Sequence, residues 1–283
     1  MFADYHVHTE FSDDSNYLME NVVKDAISKG INEICFTDHV DYGIKRDRDD
    51  PRGILKRPGG KGEPEWMDVA NVDYPRYMDL IKQLKEKYKS KINIKTGLEF
   101  GIQVHTIPLY QKLYNRYCYD FIILSIHQIN DQELWTQDYQ KGKTQQEYIE
   151  GYYQEMLNVI KKYKDYSVLG HLDLITRYDQ IGHYPFNKIK PIITEILQLV
   201  IHDGKGIEIN TSSHRYNLKD TTPSIDILKL YKELGGKIIT IGSDSHKPEH
   251  LGAYIEETKE LLKELNYEFY CTFENMKPIY HKL

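Results

Sequence analysis

The sequence predicts an α/β barrel in which parallel strands alternate with helices. Short apolar runs alternate with amphipathic helical stretches over the whole chain, which is the pattern of repeated βα units. Polar side chains of the metal-ligand type close nearly every apolar run. The alternation alone also fits a doubly wound open sheet. Reactive side chains at one strand end after another favour the barrel, because there all strand carboxyl ends converge on one face.

Seven short apolar runs are predicted as strands, and the stretches with helical periodicity between them as outer helices. The predicted strands are residues 2–8, 33–39, 92–100, 119–127, 166–171, 204–210 and 236–244. The predicted helices are residues 19–30, 74–88, 146–163, 186–204, 222–235 and 250–265. In the first helix Val22, Val23 and Ala26 share an apolar face, and Gly30 is a typical C-terminal stop.

Composition describes an ordinary globular chain. Its 283 residues are 40% hydrophobic and 28% charged, without a composition break, so we expect one domain over 1–283. The longest apolar run, 121–126, is too short to span a bilayer, and no basic segment followed by an apolar one opens the chain. We expect a cytoplasmic protein with no membrane partner. The net charge of −6 gives no footprint for nucleic acid.

One segment departs from this average. Residues 45–62 carry seven Lys and Arg against three Asp, together with several Pro and Gly. This composition predicts a long loop inserted after the second strand. The three cysteines are odd in number and far apart, without a CxxC pair, so neither a disulfide framework nor a zinc ribbon is expected.

The polar residues at the strand ends form the candidate site. They are His6 and His8, Asp38 and His39, Glu99, His127, His171, Asn210, and Asp244 with His246. His6 and His8 project to one side of their strand because side chains alternate along it. A single histidine is more often structural than a ligand. A whole cluster of unpaired His and carboxylate side chains on one barrel face would be costly without a metal to satisfy it.

The donor chemistry narrows the choice of metal. Histidine nitrogen and carboxylate oxygen without cysteine suit Zn, Mn or Fe(II) and argue against a closed structural zinc site. The donors exceed the needs of one ion, so we expect two to three divalent ions with carboxylate bridging. Such a centre activates water near neutral pH and holds phosphoryl or acyl oxygens, which predicts hydrolysis.

Seven short motifs, in order over nearly the whole chain, resemble the polymerase and histidinol phosphatase (PHP) family. They are DYHVHT (4–9), TDH (37–39), GLE (97–99), SIH (125–127), GHLDLITRY (170–178), IEIN (207–210) and GSDSH (242–246). The resemblance implies a distorted (β/α)7 TIM-like barrel with a trinuclear metal centre. This agrees with the seven strands predicted from periodicity.

Carried over motif by motif, the resemblance implies three ligand groups. The first is His6, His8, Glu99 and Asp244; the second is Glu99 as a bridge with His127 and His171; the third is His39, His246 and Asp14. Many relatives have a histidine where this chain has Asp14. Asp13 is the alternative, although it would face the opposite way in an extended chain.

The run GHLDLITRY resembles the histidinol-phosphate phosphatases of the family. This implies a metal-dependent phosphomonoesterase that hydrolyses L-histidinol phosphate with a hydroxide bridging two metals. Arg177 and Arg215 are candidates to bind the phosphate, and Asn210 and Ser125 to contact substrate or orient a ligand. Asp244 or His246 would supply the leaving-group proton through water. The basic segment 45–62 would help to attract an anionic substrate.

Four alternatives remain at this level. An exonuclease or phosphodiesterase of the same family fits the acidic net charge poorly and lacks an aromatic and basic groove motif. A phosphotyrosine phosphatase of the family is only weakly excluded. A catalytically silent metal-binding module would have no need to keep all nine donors, and a barrel enzyme without metal would make their convergence accidental.

Overall fold

The centre of the fold is a parallel sheet whose strands all end at one face. The computed structural model describes residues 1–58, 65–218 and 220–283. The strands in these ranges are β1 (Ala3–Val7), β2 (Glu33–Phe36), β3 (His39–Val40), β4 (Leu55–Pro58), β5 (Trp66–Val69), β6 (Asn93–Gly101), β7 (Phe121–Ser125), β8 (Gln128–Ile129), β9 (Gln132–Glu133), β10 (Val168–Leu169), β11 (Gly206–Asn210), β12 (Ile239–Gly242), β13 (Phe269–Glu274) and β14 (Lys277–Lys282).

The main sheet closes into a barrel. Within the described ranges its strands lie in the order β1-β2-β6-β7-β10-β11-β12, with parallel neighbours throughout, and β3 pairs beside β6. The backbone N–H of His8 donates to the carbonyl of Ser245 at 2.8 Å, and the N–H of Ser245 donates to that of His6 at 3.2 Å. These bonds bring the end of β12 back to β1. The predicted seven-stranded barrel is confirmed.

Most barrel strands lie within their predicted segments but are shorter, whereas β6 keeps its predicted length and is shifted by one residue. The segment 33–39 leaves the ladder after Phe36 and resumes as β3 at His39, and the segment 166–171 pairs only over Val168–Leu169. The backbone bends where the polar side chains begin. His171 and Asp244 have positive φ values of 22° and 56°, which are unfavourable for residues with a Cβ and recur at functional sites.

Helices surround the barrel. They are α1 (Met19–Ser28), α2 (Tyr74–Tyr88), α3 (Ile107–Tyr114), α4 (Gln145–Lys162), α5 (Phe186–His202), α6 (Ile225–Glu233) and α7 (Ile255–Glu264). The prediction of α2 matches the structure at both ends. Its start is fixed because Asp73 accepts the N–H of Arg76 as a cap and Pro75 fits the first turn. The short α3 was not predicted. Within the described ranges, none of these helices combines the length and the apolar character that crossing a membrane requires.

A C-terminal hairpin fills the amino end of the barrel. Strands β13 and β14 pair antiparallel, and Cys271 and Phe273 of β13 pack against Tyr5 and Phe121 inside the barrel. This hairpin was not predicted. It leaves the candidate site at the other end, where the strands finish.

The basic segment 45–62 contains regular structure. Its residues Leu55–Pro58 form β4, which pairs antiparallel with β5. The prediction of an irregular loop is therefore wrong for these residues. Their pairing partner, β5, lies beyond the segment, so the composition of 45–62 does not reveal the hairpin. Residues 59–62 of the segment lie outside the described residues.

Candidate metal centre

Glu99, at the carboxyl end of β6, is the centre of the strand-end cluster. Its Oε2 lies 3.2 Å from His6 Nε2 and 2.9 Å from His39 Nδ1. Its Oε1 lies 2.7 Å from His171 Nε2 and 3.2 Å from His127 Nε2. One carboxylate thus faces imidazoles from both halves of the barrel, which is the geometry of a bridging ligand.

Asp244 and Asp14 complete the cluster. Asp244 Oδ1 lies 3.3 Å from His8 Nε2 and 3.6 Å from His6 Nε2. Asp14 Oδ2 lies 3.2 Å from His246 Nε2 and 3.5 Å from His39 Nε2. All nine predicted ligands are therefore brought together. The arrangement supports Asp14 over Asp13 as the candidate, because Asp13 Oδ1 accepts a bond from the Lys45 ammonium at 2.6 Å.

The cluster fits divalent cations. Buried side-chain atoms without a hydrogen-bond partner in the described part of the chain include His6 Nε2, His8 Nε2, His39 Nδ1 and Glu99 Oε2. Buried polar atoms normally have partners, so this concentration of exceptions needs an explanation. Three overlapping groups bring their donor atoms within 4.8 Å of one another: His6, His8 and Asp244; His8, His39 and His246; His39, Glu99 and His127. Nitrogen and oxygen donors of this kind suit Zn, Mn or Fe.

The surroundings of His8 favour its neutral form, and those of Glu99 favour its ionised form. Burial favours the neutral form of His8, and the neighbouring His246 and His39 add to it, so the pKa of His8 lies well below its ordinary value. Burial would raise the pKa of Glu99, but the surrounding imidazoles, led by His6, hold it well below its usual range. A neutral imidazole and an ionised carboxylate are the forms that bind metal ions.

A cavity of about 590 Å³ opens above the cluster. Besides the cluster, its lining includes Arg177, Tyr178, Arg215, Tyr216, Lys247 and His250, together with Asp41, Ile44, Lys45, Arg57, Glu133 and Trp135. Most of these residues were not singled out from the sequence. Most of them lie in loops and short elements after the barrel strands, where local sequence does not show which way a side chain points.

The two predicted phosphate-binding arginines have different surroundings. Arg177 stacks on Tyr216 at 4.1 Å and donates to Ser212 Oγ at 2.5 Å, while its buried Nε has no partner among the described residues. Arg215 donates from its two terminal nitrogens to the carbonyls of Ser243 and Asp244 at 2.6 and 2.8 Å. Arg215 therefore holds the bent backbone at Asp244, and its phosphate contact stays a prediction.

Ser125 and Asn210 are not among the residues that line the cavity, and their predicted contact with the substrate stays a prediction. Both are fully buried. Ser125 Oγ donates to Glu99 Oε1 at 2.6 Å, and Asn210 Oδ1 accepts the backbone N–H of Ser212 at 3.0 Å. The other predicted role, ligand orientation, fits Ser125.

Residues that hold the histidines were missed by the sequence analysis. His127 Nδ1 lies 2.8 Å from Asp41 Oδ1, and His8 Nδ1 lies 3.2 Å from Ser12 Oγ. His6 Nδ1 lies 2.5 Å from Glu208 Oε1. Glu208 stands between two isoleucines in a buried strand, and an acidic residue in such a run was the available signal.

A parallel barrel with histidine and carboxylate donors at the carboxyl ends of its strands defines a metal-dependent enzyme. A family model described as PHP domain matches residues 4–212. A histidinol-phosphatase from Lactococcus lactis is 33% identical over 280 residues, covering 97% of this chain and 95% of that protein. A probable histidinol-phosphatase from Clostridium acetobutylicum is 29% identical, covering 94% of each chain.

A solved structure agrees with these sequences. The crystal structure of histidinol phosphate phosphatase from Lactococcus lactis, complexed with Zn, L-histidinol and phosphate, matches with a TM-score of 0.82 and 32% identity over 98% of both chains. The chain belongs to the PHP family.

Proposed function

We propose that this protein is a metal-dependent phosphomonoesterase that hydrolyses L-histidinol phosphate to L-histidinol and phosphate. The observation that carries the proposal is the likeness, over 98% of both chains, to an enzyme whose crystal structure holds Zn, L-histidinol and phosphate. The strand-end cluster and the cavity above it supply the corresponding place in this chain. We further propose that residues 1–283 act as one catalytic domain.

Nine residues are proposed to hold two to three Zn, Mn or Fe ions. His6, His8 and Asp244 form one group, His127 and His171 a second, and His39, His246 and Asp14 a third, with Glu99 between them. When bound, such ions stabilise charge on phosphoryl oxygens and lower the pKa of water.

Arg177 is proposed to bind the phosphate group. Its guanidinium borders the cavity, and its stacking on Tyr216 fixes the plane of its donors. NH2 lies 3.9 Å from Asp244 Oδ2, so an anion bound to Arg177 would lie beside the cluster.

Carboxylates that line the cavity are proposed to receive the organic part of the substrate. Histidinol carries an amino group and an imidazole, both of which become cationic on protonation. Glu133 faces the cavity, and its Oε1 accepts the indole N–H of Trp135 at 3.0 Å. Asp41 is already engaged by Lys45 and His127, which leaves Glu133 the better placed partner for a cation.

Hydrolysis requires a proton to move from the attacking water to the leaving oxygen. Water attacks phosphorus, the bond from phosphorus to the substrate oxygen breaks, and the alcohol leaves as L-histidinol. Asp244 and His246 both border the cavity. Burial opposes ionisation of Asp244, but His6, His8 and His246 hold its pKa well below the ordinary value. Because a carboxylate with a lowered pKa holds a proton weakly, we propose that the proton passes through water, with Asp244 and His246 both bordering its path.

A substrate panel tests the proposal. Phosphate release is measured on metal-quantified protein with L-histidinol phosphate, phosphotyrosine, simple phosphomonoesters and a phosphodiester. We expect kcat/KM for L-histidinol phosphate to exceed that for the other compounds. A preference for phosphotyrosine or for the diester would overturn the substrate while leaving the metal centre in place. Turnover of none of the panel by metal-loaded protein would favour a catalytically silent module.

A further inference from the structure

Glu208 connects two candidate metal ligands that come from different strands. It lies in β11 with its side chain inside the barrel, and it is 1% exposed. Its Oε1 lies 2.5 Å from His6 Nδ1 on β1. Its Oε2 accepts the backbone N–H of His171, just after β10, at 2.9 Å. One carboxylate therefore ties His6 to the backbone from which His171 projects.

Two glycines make the space that this carboxylate occupies. A Cβ on Gly242, at the end of β12, would lie 2.7 Å from Glu208 Oε1 and 2.3 Å from the Cβ of His6. A Cβ on Gly170, just after β10, would lie 3.4 Å from Glu208 Oε2 and 2.6 Å from Ser125 Oγ. Both neighbouring strands thus lack a side chain at the level of Glu208. The two glycines therefore leave a defined space for the Glu208 carboxylate.

The contact decides which nitrogen of His6 faces the cluster. A carboxylate oxygen next to Nδ1 holds the hydrogen on that nitrogen, which leaves the lone pair on Nε2. Nε2 is buried, has no hydrogen-bond partner in the described residues, and lies 3.2 Å from Glu99 Oε2. The carboxylate therefore presents the correct atom of His6 to a metal ion.

We propose that Glu208 is a positioning residue for the metal centre. It fixes the ring of His6 with Nε2 towards the ions, and it fixes the distance between His6 and His171 by bonding both. This inference rests on the proposed metal-dependent function, but its consequence is a metal affinity that can be measured without any substrate.

The test is Glu208→Gln, with Glu33→Gln as the matched control. An amide has one acceptor oxygen, so it cannot accept bonds from both His6 and His171, and its NH₂ would face one of the two donors. Glu33 is also a buried glutamate on a barrel strand, but at the amino end, where it bonds Tyr5 and Asn93. Each variant is compared with the wild type by circular dichroism, metal-free melting temperature and Zn affinity in competition with a chelator.

We expect Glu208→Gln to weaken Zn binding by about 10–100-fold, as for other groups that orient metal ligands. Added Zn should restore its lost turnover. Glu33→Gln should keep the wild-type affinity. Wild-type affinity in Glu208→Gln, or an equal loss in both variants, would overturn the proposal. If Glu208→Gln fails to fold, Glu208→Asp decides, because it keeps the charge but is one methylene too short to reach both partners.

The outcomes separate this proposal from the proposed substrate. Weak Zn binding in Glu208→Gln, together with a wild type that does not hydrolyse L-histidinol phosphate, would support the positioning role and overturn the substrate. Hydrolysis of L-histidinol phosphate by the wild type, together with unchanged Zn affinity in both Glu208 variants, would support the substrate and overturn the positioning role.

Discussion

Glu99 lies close to more of the candidate ligands than any other side chain of the cluster does. Its two oxygens lie within 3.6 Å of imidazole nitrogens of His6, His8, His39, His127 and His171. Such a position makes one substitution affect more than one ion. The residue also has no exposed surface, so its charge must be balanced within the cluster.

Glu99→Gln should lower the number of bound ions and reduce kcat by more than about a hundredfold, since even the outer partners of metal ligands cost about 10–100-fold. Metal content by mass spectrometry and phosphate release measure the two effects. Glu33→Gln controls for the loss of a buried carboxylate. A Glu99→Gln protein with full metal content and full turnover would exclude the bridging role.

Arg177 offers a test of phosphate binding. Lysine keeps the charge but loses the planar fork that pairs with two phosphate oxygens. Arg177→Lys should raise KM for the phosphomonoester and the inhibition constant of phosphate, each by roughly tenfold. The control is Arg116→Lys, because Arg116 also stacks on a tyrosine, Tyr117 at 5.2 Å, but does not line the cavity. Equal effects in both variants would speak against a specific phosphate contact.

At the residue scale, the sequence predicted which side chains would meet, because a ligand residue at a strand end must lie on the barrel's carboxyl face. The sequence could not show which of the strand-end side chains reach the cavity. Asn210 also ends a strand, but it is buried away from the cavity lining and accepts the backbone N–H of Ser212. Glu208 was missed because nothing local shows that an acidic side chain inside a strand has a histidine opposite it. That contact depends on β1, about two hundred residues away in sequence.

The hairpin of β4 and β5 is the element that brings the basic segment to the cavity. Arg57 of β4 lines the cavity and lies over Trp135 at 5.6 Å, whereas its neighbour Lys56 points outward to Asp68 at 3.6 Å. The alternation of side chains along a strand therefore separates two adjacent cations. Lys45 also lines the cavity, but it is paired with Asp13 and Asp41, so in the described part of the segment the predicted attraction of an anionic substrate depends on Arg57.

Arg57→Ala should lower kcat/KM by roughly two- to fivefold at low ionic strength and weaken its dependence on salt, since rim charges act chiefly on association. Lys56→Ala is the control and should leave both unchanged. Steady-state kinetics between low and high NaCl measure the effect. The same salt dependence in wild type and Arg57→Ala would rule out steering by this hairpin.

Asp120 attaches the C-terminal hairpin to the barrel. Its Oδ2 accepts the N–H of Thr96 and the ammonium of Lys85, both at 2.9 Å, and its Oδ1 accepts the N–H of Asn275 at 3.2 Å. Burial would raise the pKa of Asp120, but the N–H of Thr96 and the Lys85 ammonium hold it below the ordinary value. A carboxyl group with a lowered folded-state pKa stabilises the fold above its unfolded-state pKa, and this contribution is lost as the pH falls.

Asp120→Asn should therefore reduce the free energy of unfolding by about 1–3 kcal/mol at pH 7, and by less at pH 3.5. Urea unfolding at both pH values measures the difference. Asp79→Asn, at an exposed position of α2, is the control and should change stability by less than about 0.5 kcal/mol. A loss in Asp120→Asn that is equal at both pH values would contradict the linkage.

At the element scale, the sequence predicted helices with their own end signals and missed elements that depend on a distant partner. Asp73 and Pro75 define the start of α2 before any packing occurs. By contrast, β4 is recognisable only through β5, and β13 only through its packing against Tyr5 and Phe121. Such short strands take their stability from pairing and burial more than from propensity.

For the whole molecule, charges of both signs converge on one cavity. Its cationic residues are Lys45, Arg57, Arg177, Arg215 and Lys247, and its acidic residues are Asp13, Asp14, Asp41, Glu99, Glu133 and Asp244. Because the acidic residues include three of the proposed metal ligands, bound divalent ions would leave the cavity attractive to a small anion although the chain has a net charge of −6. The barrel prediction succeeded at this scale because the alternation of strands and helices covers most of the chain. The hairpin that fills the amino end has no place in that alternation.

Hydrolysis of L-histidinol phosphate should depend on the ions that the strand-end cluster binds. We would titrate metal-free protein with Zn or Mn and measure bound ions per chain and phosphate release at each step. We expect no turnover without metal and full turnover once two to three ions are bound. Turnover of the metal-free protein, or a fully loaded protein that releases no phosphate from L-histidinol phosphate, would contradict this dependence.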